Sequence, residues 1–122
     1  MPSLYVIQGH GHGSHFNLTQ LASVRDELAI GIGREKGNCI AVEDHEASRR
    51  HAEIRKRNAA YFLVDLGSSN GTFLNNHRIS ESELRSGDRI QIGRTVFLYS
   101  RGESGLVPPT NVEIIGANSE DN

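Results

Sequence analysis

The chain has 122 residues, enough for one domain around a single core and too few for two. Its formal net charge of −2, from 13 Lys and Arg against 15 Asp and Glu, argues against a globally basic nucleic-acid binder. A lone cysteine, Cys39, excludes an intramolecular disulfide, and no apolar run reaches the ~20 residues of a membrane helix, so a soluble cytoplasmic protein is expected.

Met1-Pro2-Ser3 has no basic or apolar leader character. Thirteen glycines among short apolar runs favour an all-β chain with many turns. Leu4-Tyr5-Val6-Ile7 predicts a buried first strand. Gly9 to His15 reads as a hairpin connection carrying His10, His12 and His15. Imidazoles so close together are candidate zinc or nickel ligands. Ordering a Gly-rich loop costs entropy, and no carboxylate or cysteine stands beside these residues in sequence, so a solvated turn is the better reading. Phe16, Leu18 and Leu21, set against His15, Asn17 and Thr19, predict a second strand. Leu28 to Gly33 predicts a third, after which Gly33-Arg34 turns the chain. Gly31-x-Gly33 lacks the third glycine and the following helix of a dinucleotide fingerprint.

Cys39 to Val42 predicts a brief strand, with Cys39 as a small buried apolar residue. Glu46 to Lys56 is made of good helix formers, with Asp44 available as a cap. A helix there would bury only Ala47, Ala52 and Ile54, which is little for an amphipathic face. Tyr61 to Val64 is the clearest strand, and Leu66 to Gly71 a loop. Thr72-Phe73-Leu74 returns as a strand, and Asn75-Asn76 fits a tight hairpin turn. After Ile79 and a turn over Leu84 to Asp88, Arg89-Ile90-Gln91-Ile92 alternates polar and apolar, and Thr95 to Tyr99 closes the domain. A domain over 1–100 and a linker or flexible tail over 101–122 is expected, with Val112 to Ile115 belonging to that end.

Three kinds of chemistry compete for the polar segments. Ser48 and His51 suggest a nucleophile and its base, but positions three apart in an extended segment face opposite ways and no oxyanion hole is apparent. Arg49, Arg50, Arg55, Lys56 and Arg57 put five cations in a short run that suits a nucleic-acid backbone. Few aromatics accompany them, and a solvated charged strand edge accounts for them as well. The third possibility is a phosphate, which hydroxyl, amide and guanidinium donors suit.

Gly33-Arg34, then Ser48-x-x-His51, then Ser69-Asn70-Gly71-Thr72, decide among the three. Asp65-Leu66-Gly67-Ser68 precedes the last motif and Leu84-x-x-Gly87-Asp88-x-Ile90-x-Ile92-Gly93 follows it. In this order and spacing the chain resembles the forkhead-associated (FHA) domain, a phosphothreonine-binding module, over roughly Leu4 to Tyr99. The resemblance implies an FHA-type β-sandwich of two mainly antiparallel sheets with the binding loops at one end. It implies a loop to Arg50 followed by a strand, in place of the helix. Leu4, Val6, Ile30, Ile32, Ile40, Ile54, Phe62, Val64, Phe73, Ile90, Ile92 and Phe97 are the expected core. It also implies Arg34, Ser48, Arg49 and Ser69 on or near the phosphate and Asn70 on the ligand's main chain. His51 is then a structural histidine that pins the loops, and Gly33 and Gly71 are the glycines of tight turns. Ser69 stands where the family often has threonine, keeping the hydroxyl. Glu46 is the side chain expected nearest the ligand residue three positions after the phosphothreonine.

The implied function is recognition of threonine-phosphorylated proteins in Ser/Thr-kinase signalling, with no catalysis, cofactor, metal, nucleic-acid or membrane partner. A phosphate-independent docking domain is the alternative. The expected assembly is a monomer or one module of a larger protein.

Overall fold

Leu4 and Val6, Ile30 and Ile32, Ala52 and Ile54, and Ile90 and Ile92 are all buried, each pair two residues apart. That period of two belongs to strands with one dry face. The computed structural model describes residues 2–25 and 29–102. In chain order these form β1 (Ser3–Gln8), β2 (His15–Asn17), α1 (Leu18–Arg25), β3 (Ala29–Gly33), β4 (Ile40–Ala41) and β5 (Ala52–Arg57). There follow β6 (Ala60–Asp65), β7 (Thr72–Leu74), β8 (His77–Ile79), β9 (Glu81–Glu83), β10 (Arg89–Ile92) and β11 (Thr95–Ser100).

One sheet has six strands in the order β2-β1-β11-β10-β7-β8, and the other five in the order β4-β3-β5-β6-β9. Every pairing is antiparallel except β3 with β4. This is the expected sandwich of two mainly antiparallel sheets. The core lies between them, with Leu4, Phe97, Tyr99, Ile90 and Ile92 from one sheet and Ile30, Ile32, Ile54 and Leu63 from the other. β1 and β11 run side by side, with Ser3 opposite Ser100 and Val6 opposite Phe97.

Three expectations are corrected. Leu18 and Leu21 do not continue the second strand, because Asn17 ends it. The Asn17 Oδ1 accepts the Gln20 N–H at 2.9 Å and so caps a helix. Leu18 is then fully buried, and Leu21 packs against the core. Phe62 and Phe73 are half-buried on outer faces. The pairing of β5 with β6 sets Leu63 opposite Ile54 and Phe62 opposite Arg55, so the core receives Tyr61 and Leu63 instead. Phe62 lies under the Arg57 guanidinium, 4.7 Å from ring centroid to Cζ. Phe73 opposes Gln91 on one side and Arg78 on the other, and Leu74 takes the inner place. Cys39 is also only half-buried, packed against the edge of the core.

The segment from Asp44 to Arg50 is a loop and β5 begins at Ala52, so the helix alternative is excluded. Asn75 and Asn76 adopt φ of 50° and 72°, as a tight hairpin turn between β7 and β8 requires. The short strand β9 was not anticipated. Leu28, the tail beyond Gly102 and the run Val112 to Ile115 lie outside the described residues.

Candidate functional site

Gly33 ends β3 where another main chain passes almost in contact. A Cβ on Gly33 would lie 2.2 Å from the Arg49 carbonyl oxygen, so no larger residue fits without moving a backbone. The Arg34 N–H donates to the Ser48 carbonyl at 2.9 Å and the Glu35 N–H to the Arg49 carbonyl at 3.1 Å. The Asn38 side chain donates to that same Arg49 carbonyl at 2.8 Å. Main-chain bonds thus fix Ser48-Arg49 beside Arg34. Arg34 is exposed; its Nε donates to the Ala47 carbonyl at 3.1 Å, a bond that does not engage the two Nη groups of the fork.

His51 ties this pair of segments to the third. It is fully buried, and its Nδ1 accepts the Ser48 N–H at 3.0 Å. A nitrogen that accepts carries no proton, so Nε2 holds the hydrogen and donates it to the Gly71 carbonyl at 2.9 Å. The Ser69 N–H donates to the Ser48 Oγ at 3.0 Å, and the Asn70 amide donates to the Glu46 carbonyl at 2.8 Å. Residues far apart in sequence therefore share one surface: Arg34, Arg49, Ser69 and Asn70 are exposed there and Ser48 is half-buried between them. The histidine meets the serine's main chain and not its hydroxyl, which is the wrong contact for a base that activates a nucleophile.

Two carboxylates, Asp65 and Asp44, hold the loops from behind, the latter capping a turn and not the helix it could have started. Asp65 accepts the Ser68 and Thr72 hydroxyls, each at 2.6 Å, and the Gly67 N–H at 2.9 Å. Asp44, which is buried, accepts the Glu46 N–H at 2.9 Å, the Arg94 N–H at 2.7 Å and the Thr95 hydroxyl at 2.8 Å. In each, burial pushes the carboxyl's pKa up, but the hydrogen bonds outweigh it and hold the group below the ordinary Asp value. The local half of both arrangements, a carboxylate on the N–H two residues on, is a turn signal a sequence carries. Their reach to Thr72 and Thr95 is not.

The rim beside Asn70 is acidic, and one of its carboxylates faces a guanidinium. The Glu46 carboxylate lies 3.5 Å from Arg94 and the Glu43 carboxylate 2.7 Å from His10, all exposed. The fold thus brings a carboxylate to the histidine loop that the sequence did not place there. His15 instead stacks on Tyr5 at 4.6 Å, and among the described residues no group of three His, Cys, Asp or Glu converges as a metal site. Arg55 pairs with Glu53 and Arg57 with Glu81 at 2.6 Å, so two of the three cations of β5 are paired on the sheet, and the third, Lys56, lies 6.0 Å from the Tyr61 ring centroid. What remains is a cluster of outward guanidinium, hydroxyl and amide donors on a rigid main-chain frame, suited to a compact oxyanion joined to a peptide.

A family model described as the FHA domain matches residues 30–93. The oxoglutarate dehydrogenase inhibitor of Corynebacterium jeikeium is 40% identical over 103 residues, which cover 83% of this chain and 67% of that protein. The glycogen accumulation regulator GarA of Mycobacterium tuberculosis is 39% identical over 97 residues, 78% of this chain and 56% of the relative. The chain thus spans between about half and two thirds of the length of these curated relatives. A solved structure described by its phosphothreonine-dependent FHA domain interactions superposes with a TM-score of 0.67 at 29% identity, over 88% of this chain and 97% of that one.

Proposed function

The chain belongs to the FHA domain family, and on that premise we propose that it binds phosphothreonine-containing proteins through the surface built by Arg34, Ser48, Arg49, Ser69 and Asn70. One observation carries the reading: three segments distant in sequence are locked together by the bonds of His51, Ser48 and Asn70, and the donors they present point outward. A phosphate dianion offers three acceptor oxygens, and this surface offers a planar fork, two hydroxyls and a second guanidinium. Asn70 can exchange its bond to the Glu46 carbonyl for bonds to the ligand's main chain, since an amide both donates and accepts. The solved structure described as phosphothreonine-dependent supports the choice of ligand.

The role is recognition rather than catalysis. Binding would bring the protein that carries this domain to targets of a serine/threonine kinase in the cytoplasm, a compartment that also suits its lone Cys39. The domain occupies 1–100, since β11 ends at Ser100, and 101–122 serves as linker or tail. Regulation of metabolic enzymes, which the relatives' names suggest, is a proposal for the longer protein.

The test is a titration with a phosphothreonine peptide library, the unphosphorylated twins and a duplex DNA. Micromolar binding to phosphorylated peptides alone is expected. Changing Arg55 and Arg57 together to Ala should leave that affinity within about twofold, because surface charges outside the site contribute little. Equal binding of the unphosphorylated twins would instead make this a phosphate-independent docking domain.

A further inference from the structure

Beside the Ser69–Gly71 turn stands a cation, Arg78, that the proposed phosphate contact does not use. Arg78 stands on β8 directly opposite Phe73 of β7. The residue diagonal to it, two positions before Phe73, is Gly71, and a long side chain reaches such a neighbour. Arg78 lies across it: a methyl on Gly71 would sit 2.8 Å from the Arg78 Nε and 3.1 Å from its Cζ. Gly71 holds φ at +90° and its carbonyl is held by His51, so the floor under this guanidinium is fixed. Asn70, the next residue back, is the one assigned to the ligand's main chain.

Arg78 is exposed and, among the described residues, its guanidinium has neither a carboxylate partner nor a hydrogen bond. Of the other arginines, Arg94 faces Glu46, Arg55 faces Glu53 and Arg57 faces Glu81, Arg34 and Arg49 belong to the proposed phosphate contact, and Arg50 stands beside Arg49 on the first loop. The two rims of the site therefore differ. A ligand flank crossing residues 43–46 meets the Glu43 carboxylate beside the His10 imidazole and the Glu46 carboxylate beside the Arg94 guanidinium. A flank crossing the Ser69–Gly71 turn meets a guanidinium in no ion pair, while the Asp65 carboxylate is held behind the turn by the Ser68 and Thr72 hydroxyls.

We propose that Arg78 is a specificity-determining residue that pairs with an acidic side chain of the ligand lying over the Ser69–Gly71 turn, a reading that rests on phosphopeptide recognition at this site. The pair is exposed, so its effect is selective rather than decisive, about two- to fivefold in affinity and weaker in high salt.

The experiment is fluorescence anisotropy on phosphothreonine peptides with neutral flanks, into which one Glu is walked a position at a time along both sides. Wild-type protein should bind one flanking Glu about two- to fivefold more tightly than the neutral peptide. Arg78→Gln, which keeps a stem over Gly71, should erase that preference and leave the neutral peptide's affinity unchanged. Arg78→Glu should prefer Lys at the same position. An unaltered Glu profile in Arg78→Gln overturns the proposal, and so does a uniform loss for every peptide, which would make Arg78 a phosphate contact or a brace for the turn. Wild-type protein that binds no phosphothreonine peptide at all would overturn the functional reading itself, a result distinct from both.

Discussion

Replacing Gly33 by alanine adds one methyl group at the point where two main chains cross. Its Cβ would lie 2.2 Å from the Arg49 carbonyl oxygen and 2.9 Å from the carbonyl carbon, where real contacts stay beyond 3.0 Å. The obstacle is backbone, so no side chain can rotate away and a shift of roughly 1 Å is forced. That shift strains the bonds from the Arg34 and Glu35 N–H groups to the Ser48 and Arg49 carbonyls. Each bond contributes about 1 kcal/mol and overpacking costs about 1–3 kcal/mol more, for a total near 3–5 kcal/mol. Against a stability of about 5–15 kcal/mol this is severe, and for a domain of this size it lowers Tm by roughly 15–25 °C. Thermal unfolding followed by circular dichroism measures it, with phosphopeptide titration at a temperature where the variant remains folded. Gly37→Ala is the control in the same loop, because its methyl meets nothing within 4 Å; its stability should stay within about 0.5 kcal/mol of wild type. A Gly33→Ala protein that melts within about 3 °C of wild type and binds as tightly would refute the steric argument.

Arg34→Ala should lose measurable phosphopeptide binding, a cost of roughly 2–5 kcal/mol, with Tm nearly unchanged, and Arg34→Lys should do little better because it lacks the fork; retained affinity in calorimetry would remove Arg34 from the site. Asp65 has a depressed pKa, so its contribution is present above the unfolded value of about 3.9 and fades as pH falls through the lower folded value. Urea midpoints measured from neutral to acid pH should therefore decline below about 4, and more shallowly in an Asp65→Asn variant that starts less stable; parallel declines would clear Asp65. Affinity for the phosphopeptide should fall as pH drops through the phosphate's second pKa near 6, and phosphoserine should bind about fourfold more weakly for want of one methyl. A pH-independent affinity, or equal affinity for phosphoserine, would count against a dianionic phosphothreonine ligand. Glu46 should disfavour Asp or Glu three residues after the phosphothreonine, by about twofold since Arg94 stands beside it, and Glu46→Lys should reverse the order; peptide arrays in which the substitution changes nothing would dismiss Glu46 as a reader.

Local chemistry made much of this molecule legible. Turn residues such as Asn75-Asn76 and Gly87-Asp88, and alternation over Arg89 to Ile92, mark strands and their ends without any tertiary knowledge. Face assignment failed where alternation did. Tyr61-Phe62-Leu63-Val64 is apolar throughout, so which pair turns inward depends on the partner strand, and Ile54 decides for Tyr61 and Leu63. The helix after Asn17 had a signal in its capping asparagine and in Leu18 and Leu21 three apart, outweighed by a chance alternation with polar neighbours. In the site, the three motifs were readable because each is contiguous. Asp44 on Thr95, Arg94 on Glu46 and Arg78 over Gly71 were not, because each joins segments that only the folded sheets bring together.

The pairing of β1 with β11 fixes where a longer polypeptide enters and leaves. Ser3 and Ser100 are rung partners, while the other end of β11, at Thr95, touches Asp44 beneath the recognition loops. A strand of six residues, about 20 Å, separates the two ends. Ser3 and Ser100 are therefore neighbouring points about a strand's length from the loops proposed to bind, and a bulky fusion at either one should leave phosphopeptide affinity unchanged. The same arrangement makes the domain a soft mechanical joint. Tension applied between its two ends opens the ladder one rung at a time from Ser3 and Ser100, as a zipper does, instead of shearing all rungs together.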